Sequence, residues 1–216
     1  METKQRTFRN SLNSNNLQVI QAASHRYQWR GVPMWKNPFD FSLYWYIVHM
    51  ARPMTIIEIG SKYGGSALWL ADMLKLYGIK GKVVSLDINK VTEVSHPGVE
   101  FLEGDVADLG KTLTPKYLSG LKRPWMVIED SSHFYEHSLA AMEFFHDKLK
   151  KDDILIIEDG VVDDLGLSQQ FNGGPNRAIK EFMEKHQEAY ALMVDLCDFW
   201  GENVTWNTNG FWKRIA

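Results

Sequence analysis

Acidic residues follow two apolar segments in which strands are predicted. Asp130 comes directly after the segment MVIE, and Glu158 with Asp159 follows the segment ILII. Because adjacent parallel strands end at the same edge of a sheet, these three carboxylates can converge on one ion. Oxygen ligands without nearby cysteine favour a hard cation, Mg²⁺ or alternatively Mn²⁺ or Ca²⁺, over zinc. The alternative is that Asp130 and Asp159 cap the helices that follow them.

Two histidines come soon after Asp130 in the chain. His133 is three residues further on, and His137 follows one helical turn later. Histidine is the usual proton carrier near neutral pH, so His133 is the first candidate for a general base beside a metal and His137 is the second. The alternative for His133 is a structural hydrogen bond in the first turn of a helix.

A glycine-rich turn follows the first predicted strand and reads EIGSKYGGS over residues 58–66. Glycines allow the backbone to approach a ligand closely, and the helix after the turn presents free N–H groups. The spacing G-x-x-x-G-G differs from the G-x-G-x-x-G of dinucleotide-binding proteins and lacks the Lys-Ser/Thr of a phosphate-binding loop, which disfavours NAD and ATP. Close packing of the strand on the helix would explain the same glycines without any ligand.

Acids also end the next two predicted strands. Asp87 lies where a carboxylate commonly accepts hydrogen bonds from ribose hydroxyls, and Asp105 lies where an adenine amino group could donate. Each acid alone is also explained as a surface residue or, for Asp105, as a helix cap. Their joint placement with the glycine-rich turn favours a bound ribose and adenine.

Strands and helices alternate from Met54 onward, which predicts an α/β fold with a doubly wound, mostly parallel sheet of about seven strands. The predicted strands are TIIEIG, KVVSLDI, VEFLEGD, PWMVIED, DILIIEDG and AYALMVDL, with GFWKRI as an antiparallel edge strand near the C-terminus. Residues 1–24 are polar and are predicted to form a weakly ordered arm. Residues 25–216 are predicted to form one domain, with an N-terminal helical cap over 25–53 and the core over 54–216. The segment 161–174 is long enough for an active-site lid.

Composition narrows the classes of partner. The 216 residues carry a formal net charge of −3 and no dense run of Lys or Arg, which argues against nucleic acid. Apolar stretches are too short to span a bilayer and the N-terminus lacks the apolar core of a signal peptide, so we expect a cytoplasmic location and no membrane association. The single cysteine, Cys197, agrees with a reducing compartment.

Aromatic residues make up 12% of the chain, and several tryptophans lie near its two ends. This enrichment suits a pocket for an organic ligand or an oligomer interface, and we expect a homo-oligomer. A role in the core or an interface is the alternative for most of them. The tryptophans concerned are Trp29, Trp35, Trp200, Trp206 and Trp212.

Several segments together resemble the cephalosporin hydroxylase-like family of S-adenosylmethionine-dependent O-methyltransferases, which includes rhamnosyl O-methyltransferase-like proteins. They are WRGVPMWKNPFDFSLY, TIIEIGSKYGGSALWLADML, VVSLDIN, EDSSH, ILIIEDG and GGPNRAIKEFM. The resemblance covers about residues 29 to 214 and implies a Rossmann-like methyltransferase fold. It also implies that the glycine-rich turn holds the methionine part of the cofactor, Asp87 the ribose, and Asp105 with Val106 the adenine. The cofactor residues expected in the turn are Glu58, Gly60, Tyr63, Gly64, Gly65 and Ser66.

The same resemblance assigns roles at the ends of the later strands. Asp130, Glu158 and Asp159 match the divalent-metal carboxylates of the family, and Asp130 is also expected to border the cofactor. His133 matches the histidine of the family's Asp-Ser-x-His motif, so His133 and Asp130 are the expected catalytic residues. The lid sequence over 161–174 matches no acceptor class known to us.

These features predict methyl transfer from S-adenosylmethionine to a hydroxyl of a small oxygen-rich acceptor, a sugar or another natural product. Mg²⁺ would bind acceptor oxygens and His133 would remove the proton. A metal-dependent hydroxylase of a secondary metabolite is one alternative, although an iron oxygenase usually needs two histidines and one carboxylate. A non-catalytic S-adenosylmethionine-binding protein is the other.

Overall fold

The structure, a computed structural model, describes residues 6–216 and contains a seven-stranded sheet in the order β5-β4-β3-β6-β7-β9-β8. The strands β3 to β7 pair in parallel, and β9 is antiparallel to both of its neighbours. A separate two-stranded ribbon pairs β1 with β2. The strands are β1 (Gln28–Trp29), β2 (Val32–Pro33), β3 (Thr55–Ile59), β4 (Lys82–Asp87), β5 (Val99–Glu103), β6 (Trp125–Glu129), β7 (Ile154–Ile157), β8 (Tyr190–Leu192) and β9 (Phe211–Arg214).

Helices cover both faces of the sheet, as the doubly wound prediction requires. The apolar runs of β3, β6 and β7 are buried on both faces, with Ile56 in the cluster on one side and Ile57 in the cluster on the other. None of the helices in residues 6–216 is long and apolar enough to cross a membrane. The helices are α1 (Ser14–Ser24), α2 (Pro38–Ala51), α3 (Gly65–Leu76), α4 (Leu109–Thr112), α5 (Pro115–Ser119), α6 (Tyr135–His146), α7 (Gly174–His186) and α8 (Val194–Cys197).

The last strand differs from its prediction in position. β9 is antiparallel as expected, but it lies between β7 and β8 and is not an edge strand; β8 is the edge. The residues of β9 explain this, because Phe211 is fully buried and Trp212 pairs with Leu155 on one side and Leu192 on the other. A strand with ladder partners on both sides satisfies all of its backbone groups, which a short apolar strand at an edge would leave exposed.

The arm predicted to be weakly ordered is instead folded over its described part, residues 6–24; residues 1–5 lie outside the described residues. Asn13 caps α1 by accepting a hydrogen bond from Asn16 N at 2.9 Å. Leu17 is fully buried and packs with Val161 and Trp206, which belong to distant parts of the chain. The polar composition predicted weak order, but the capped helix docks through the buried Leu17 and through polar contacts such as the hydrogen bond from the Trp206 indole N–H to Gln21.

Between α1 and the core, the predicted N-terminal cap contains the β1–β2 ribbon and helix α2. Arg30 and Gly31 form the turn of the ribbon, and both have positive φ angles. The Trp29 indole N–H donates to Asp72 on α3 at 2.8 Å, which holds the ribbon against the core. Asn37 caps α2 and Pro38 occupies its first turn, as the sequence NPFD favours.

Asp40 ties α2 to the C-terminal loop and has an unusual environment. It is fully buried and accepts hydrogen bonds from Thr205, from Asn37 and, at 3.0 Å, from the backbone N–H of Trp206. Burial raises the pKa of Asp40 to about 6, although the three donors oppose the shift. The carboxyl therefore binds a proton more tightly in the folded protein than in the unfolded chain.

We predict that Asp40 makes the stability of the protein depend on pH. Because the folded-state pKa exceeds the usual value, its contribution is present at low pH and is lost as the pH rises through about 6. We compare the free energy of unfolding of the wild type with that of Asp40→Asn at each pH. Relative to the variant, the wild type should be about 1.4 kcal/mol more stable at pH 5 than at pH 8. Urea denaturation of both proteins at the two pH values measures this, and a difference that shifts the other way would contradict it.

Candidate functional site

Hydrogen bonds beyond the strand ends bring the predicted site residues together at one edge of the sheet. Ile59, Glu129 and Ile157 lie in register at the ends of β3, β6 and β7. The pairing continues past them, with Asp130 N donating to Ile59 O at 2.8 Å and Glu158 N donating to Glu129 O at 3.0 Å. The register of the three central strands thus fixes where Asp130 and Glu158 leave the sheet.

A cavity of about 500 Å³ opens at this edge. The strand ends contribute one wall, the N-terminal segment a second, and the predicted lid a third. Polar and charged side chains share the lining about equally with apolar and aromatic ones, so this cavity is more polar than the usual small-molecule site. The C-terminal loop adds Trp206, and the N-terminal segment and the lid contribute Gln21, His25, Trp35, Lys36, Val161, Val162, Leu165, Leu167 and Phe171.

Asp130, His133 and Asp159 form a compact cluster in the cavity wall. Each offers one potential ligand atom, and these three atoms lie within 4.8 Å of one another. His133 Nδ1 is 3.2 Å from Asp159 Oδ2. Two carboxylates and one imidazole suit a divalent cation, so the residues present fit a metal ion. Burial raises the pKa of Asp159, while the neighbouring His133 opposes the shift.

His133 and Asp159 both have a left-handed backbone, with φ angles of 63° and 58°. This conformation is uncommon for residues other than glycine and is typically maintained at functional sites by the surrounding structure. The turn that carries His133 is held from below by Glu129, a buried acid that accepts hydrogen bonds from Ser131 N at 3.1 Å and from Ser138 Oγ at 2.8 Å. This role of Glu129 was not predicted from the sequence.

Glu158, the third carboxylate of the predicted metal set, lies outside this cluster. It is only 4% exposed and accepts hydrogen bonds from the Tyr44 hydroxyl and the Lys36 ammonium. Lys36 also donates to Asp130 Oδ2 at 2.6 Å. Burial and the nearby Asp130 raise the pKa of Glu158 well above its usual range, whereas Lys36 opposes the shift. The three carboxylates expected to form one metal site are therefore divided, because the Lys36 ammonium lies between Asp130 and Glu158.

A second, smaller pocket of about 200 Å³ adjoins the cavity and shares Gly60, Asp87 and Ser131 with it. Asp105 and Val106, the residues expected near the adenine, line this pocket. Asp105 also caps the following turn by accepting a hydrogen bond from Ala107 N at 2.9 Å, which was the alternative considered for it.

His137 belongs to this smaller pocket and not to the cluster around Asp159. Its Nδ1 lies 2.5 Å from Ser132 Oγ. The two histidines considered as bases are thus separated, and His133 is the one that faces the carboxylates.

The residues of the glycine-rich turn divide into those that line the cavity and those behind it. Gly60, Tyr63 and Ser66 line the cavity, whereas Glu58, Gly64 and Gly65 are not among its lining residues. Asp87 Oδ2 accepts a hydrogen bond from Lys62 N at 2.8 Å, which shapes the turn.

Glu58 lies behind the turn and is fully buried. One of its carboxylate oxygens accepts a hydrogen bond from Ser85, and the other has no hydrogen-bond partner among the described residues. Burial raises the pKa of Glu58. The Ser66 hydroxyl opposes this shift in the pKa of Glu58, so it too lies close to the carboxylate.

Of the tryptophans considered for a pocket, Trp35 and Trp206 line the cavity. The indole N–H groups of the others donate to protein atoms elsewhere: Trp29 to Asp72, Trp200 to Ser42, and Trp212 to the backbone of Asn209. Lys36, Tyr44 and α1 were missed by sequence reasoning. For Lys36, the sequence shows only a lysine beside a helix cap in an aromatic segment. That pattern does not by itself indicate a buried ion pair.

Comparison with known proteins gives a consistent result. The family model described as Rhamnosyl O-methyltransferase/CmcI matches residues 21–215. The rhamnosyl O-methyltransferase of Mycobacterium leprae is 28% identical over 194 residues, which cover 86% of this chain and 82% of the relative. That of Mycobacterium tuberculosis strain H37Rv is 28% identical over 168 residues, 74% of this chain and 67% of the relative.

Solved structures of CmcI share the fold. The apo structure of the CmcI-N160 form has a TM-score of 0.70 and 25% identity, and covers 89% of this chain and 77% of that one. The CmcI-D160 structure with Mg and SAM has a TM-score of 0.67 and 24% identity, with 89% and 78% covered.

We predict that Gly60 is needed to hold the ends of β3 and β6 together. A Cβ atom there would lie 2.0 Å from the backbone oxygen of Asp130, and the residue has a φ of 107°. Gly60→Ala should lower the free energy of unfolding by at least about 2 kcal/mol more than Gly78→Ala, because the clash must be relieved by moving backbone. Gly78 is the matched control, since it has a φ of 64° and nothing within 4 Å of the added carbon. Guanidinium denaturation measures both losses, and equal losses would contradict the prediction.

Proposed function

The chain belongs to the rhamnosyl O-methyltransferase/CmcI family and is an S-adenosylmethionine-dependent O-methyltransferase, and we propose that its acceptor is a hydroxyl group of a sugar or similar natural product. The observation that carries the proposal is the position of the Asp130–His133–Asp159 cluster. It lies in the wall of the larger cavity, next to the smaller pocket that shares Asp87 and Ser131 with it. The smaller pocket and the adjoining glycine-rich turn suit a cofactor, and the rest of the larger cavity suits an acceptor. The cluster residues Asp130 and His133 lie on either side of Ser131, which both pockets share.

In this proposal the cofactor extends from the smaller pocket to the glycine-rich turn. Asp105 and Val106 surround the adenine, Asp87 accepts hydrogen bonds from the ribose, and the turn holds the methionine portion. Glu58 lies behind the turn and lines neither pocket, so it would act on the cofactor only through the turn. Gly64 and Gly65 act through the shape of the turn.

Asp130 and Asp159 are the residues we propose to hold a divalent cation together with Glu158, which leaves His133 free to act as the base. Bound there, the cation would supply Lewis-acid chemistry that lowers the pKa of the acceptor hydroxyl. The protein itself orients the acceptor, keeps water out with the lid residues, and provides a proton acceptor at His133. Asp159 fixes the imidazole at 3.2 Å, as a carboxylate partner does for a catalytic histidine.

In methyl transfer, the bond between the methyl carbon and the sulfonium sulfur breaks as the bond to the acceptor oxygen forms. The acceptor proton passes to His133, and the products are the methyl ether and S-adenosylhomocysteine. Positioning supplies much of the acceleration in such a reaction, because donor and acceptor are held in line.

The acceptor end of the cavity suits a sugar-like molecule. The Trp35 and Phe171 rings provide flat apolar surfaces for the C–H faces of a pyranose, and Gln21 and His25 provide hydrogen-bonding groups for its hydroxyls. Lys62 lies 3.7 Å from the centre of the Trp35 ring and fixes one side of this surface.

A hydroxylase is not favoured by the geometry. Among the described residues, the cluster offers one imidazole and two carboxylates, whereas non-haem iron oxygenases typically use two histidines and one carboxylate.

Self-association and a cytoplasmic location stay predictions. Exposed rings of Tyr46, Phe199 and Trp200 support the former.

We predict that the protein converts S-adenosylmethionine to S-adenosylhomocysteine in the presence of a suitable sugar or phenol and Mg²⁺, and that chelation by EDTA abolishes turnover. Mass spectrometry of both products across an acceptor panel tests this.

Asp159→Asn should reduce kcat by about 100-fold or more while leaving the affinity for S-adenosylmethionine within threefold. Undiminished turnover in EDTA would overturn the metal role, and an absence of S-adenosylmethionine binding by calorimetry would overturn the function.

We predict that His133 is the base and not an essential metal ligand. His133→Gln should lower kcat by about 100-fold or more, the usual size of a general-base contribution, with Mn²⁺ affinity within threefold of the wild type. His137→Gln is the matched control and should mainly change the KM for S-adenosylmethionine, since His137 lies at the smaller pocket. If Mn²⁺ affinity measured by electron paramagnetic resonance falls in parallel with kcat, His133 is a ligand instead.

A further inference from the structure

The Trp206 indole fixes the orientation of the Gln21 side chain on α1. An indole N–H can only donate a hydrogen bond, and the Trp206 N–H donates to Gln21 Oε1. The amide nitrogen of Gln21 therefore occupies the other position, where it lies 3.1 Å from Nε2 of His25. A residue of the C-terminal loop thus determines which group of Gln21 is presented to His25.

This hydrogen bond also determines which nitrogen of the His25 ring carries the proton. An amide NH₂ group only donates, so His25 Nε2 must accept, and the neutral ring then carries its proton on Nδ1. Among residues 6–216, the hydrogen bond to Gln21 is the only one that the His25 ring makes. The Nδ1–H group is therefore available to donate to a ligand.

The position of His25 is on the acceptor side of the site. It caps the C-terminus of α1 and lines the larger cavity, whereas neither His25 nor Gln21 lines the smaller pocket. Its ring packs on that of Trp35, with ring centres 4.7 Å apart. Burial raises the pKa of Asp159, and the charge of His25 is among those that oppose the shift, so the two side chains lie within range of each other.

We propose that His25 selects the acceptor, by donating its Nδ1–H to an acceptor oxygen other than the one that is methylated. The favoured acceptors are then polyhydroxylated, as sugars are, and an analogue that lacks this oxygen is a poorer substrate. This deepens the proposed function and rests on it. His25 is a specificity-determining residue, and Gln21 and Trp206 are positioning residues, since they act through its tautomer.

Nuclear magnetic resonance of protein labelled with ¹⁵N-histidine tests the tautomer at pH 8, without any turnover. The His25 signals are assigned by their loss in His25→Phe, and they should show a protonated Nδ1 and an unprotonated Nε2. In Gln21→Met, which removes both hydrogen bonds, the ring should populate both tautomers. A proton on Nε2 in the wild type would overturn the inference.

A comparison of two proteins and a series of acceptors measures the recognition itself. The best acceptor of the panel is compared with its monodeoxy analogues. At one position, loss of the hydroxyl should lower kcat/KM of the wild type by about tenfold, the size expected for one hydrogen bond between uncharged groups. The same loss should lower kcat/KM of His25→Phe by less than twofold, because phenylalanine can pack on Trp35 but has no donor. The KM for S-adenosylmethionine should stay within threefold.

His49→Phe is the matched control. His49 packs on the Tyr77 ring with ring centres 5.2 Å apart, and it lines neither pocket. This variant should discriminate against the deoxy analogues as the wild type does. Loss of an oxygen that binds only the cation would lower kcat/KM of the wild type and of His25→Phe equally, so it would not produce the expected difference.

The outcomes separate this inference from the proposed function. If His25→Phe discriminates against every deoxy analogue as strongly as the wild type, His25 does not select the acceptor, although the enzyme is still a methyltransferase. If His25→Phe does not fold, Gln21→Met should show reduced discrimination, and unchanged discrimination there would overturn the inference. If the wild type methylates no acceptor of the panel, the proposed acceptor class fails and this inference fails with it.

Discussion

Compensation of buried negative charge at the ends of β6 and β7 is the constraint on which the site depends. Parallel pairing places Asp130, Glu158 and Asp159 side by side, and a buried carboxylate is costly without a partner. The protein supplies Lys36 and Tyr44 to Glu158, and His133 to Asp159. These partners come from two other parts of the chain, so the site is complete only when the N-terminal cap and the loop after β6 are folded onto the sheet.

The sequence predicted the sheet well because the information for it is local. Runs such as ILII, buried on both faces, can only be central strands, and the glycine-rich turn marks where the first of them meets a helix. The position of β9 could not be predicted in this way, because strand order is decided by contacts between residues far apart in the chain. Phe211 and Trp212 show burial only once β7 and β8 are in place.

For the candidate site, too, only residues whose position follows from local sequence could be predicted. Asp130, Asp159 and His133 follow strand ends and were found by their position alone. Lys36 could not be found, because nothing near it in the sequence shows that its ammonium reaches carboxylates about a hundred residues away. Helix α1 was missed since few of its residues are buried, and Leu17 packs against Val161 and Trp206, which are far away in the chain.

Residues of the predicted lid contact the proposed base, His133, and the segment next to it. Tyr135 N donates to Phe171 O at 3.1 Å, and the Phe171 ring packs edge-on against His133 and Phe134, with ring centres 5.5 Å and 5.4 Å apart. His133 keeps a left-handed backbone in this setting, which the surrounding contacts must maintain. In the proposed function, an acceptor that contacts Phe171 would therefore also affect the orientation of His133.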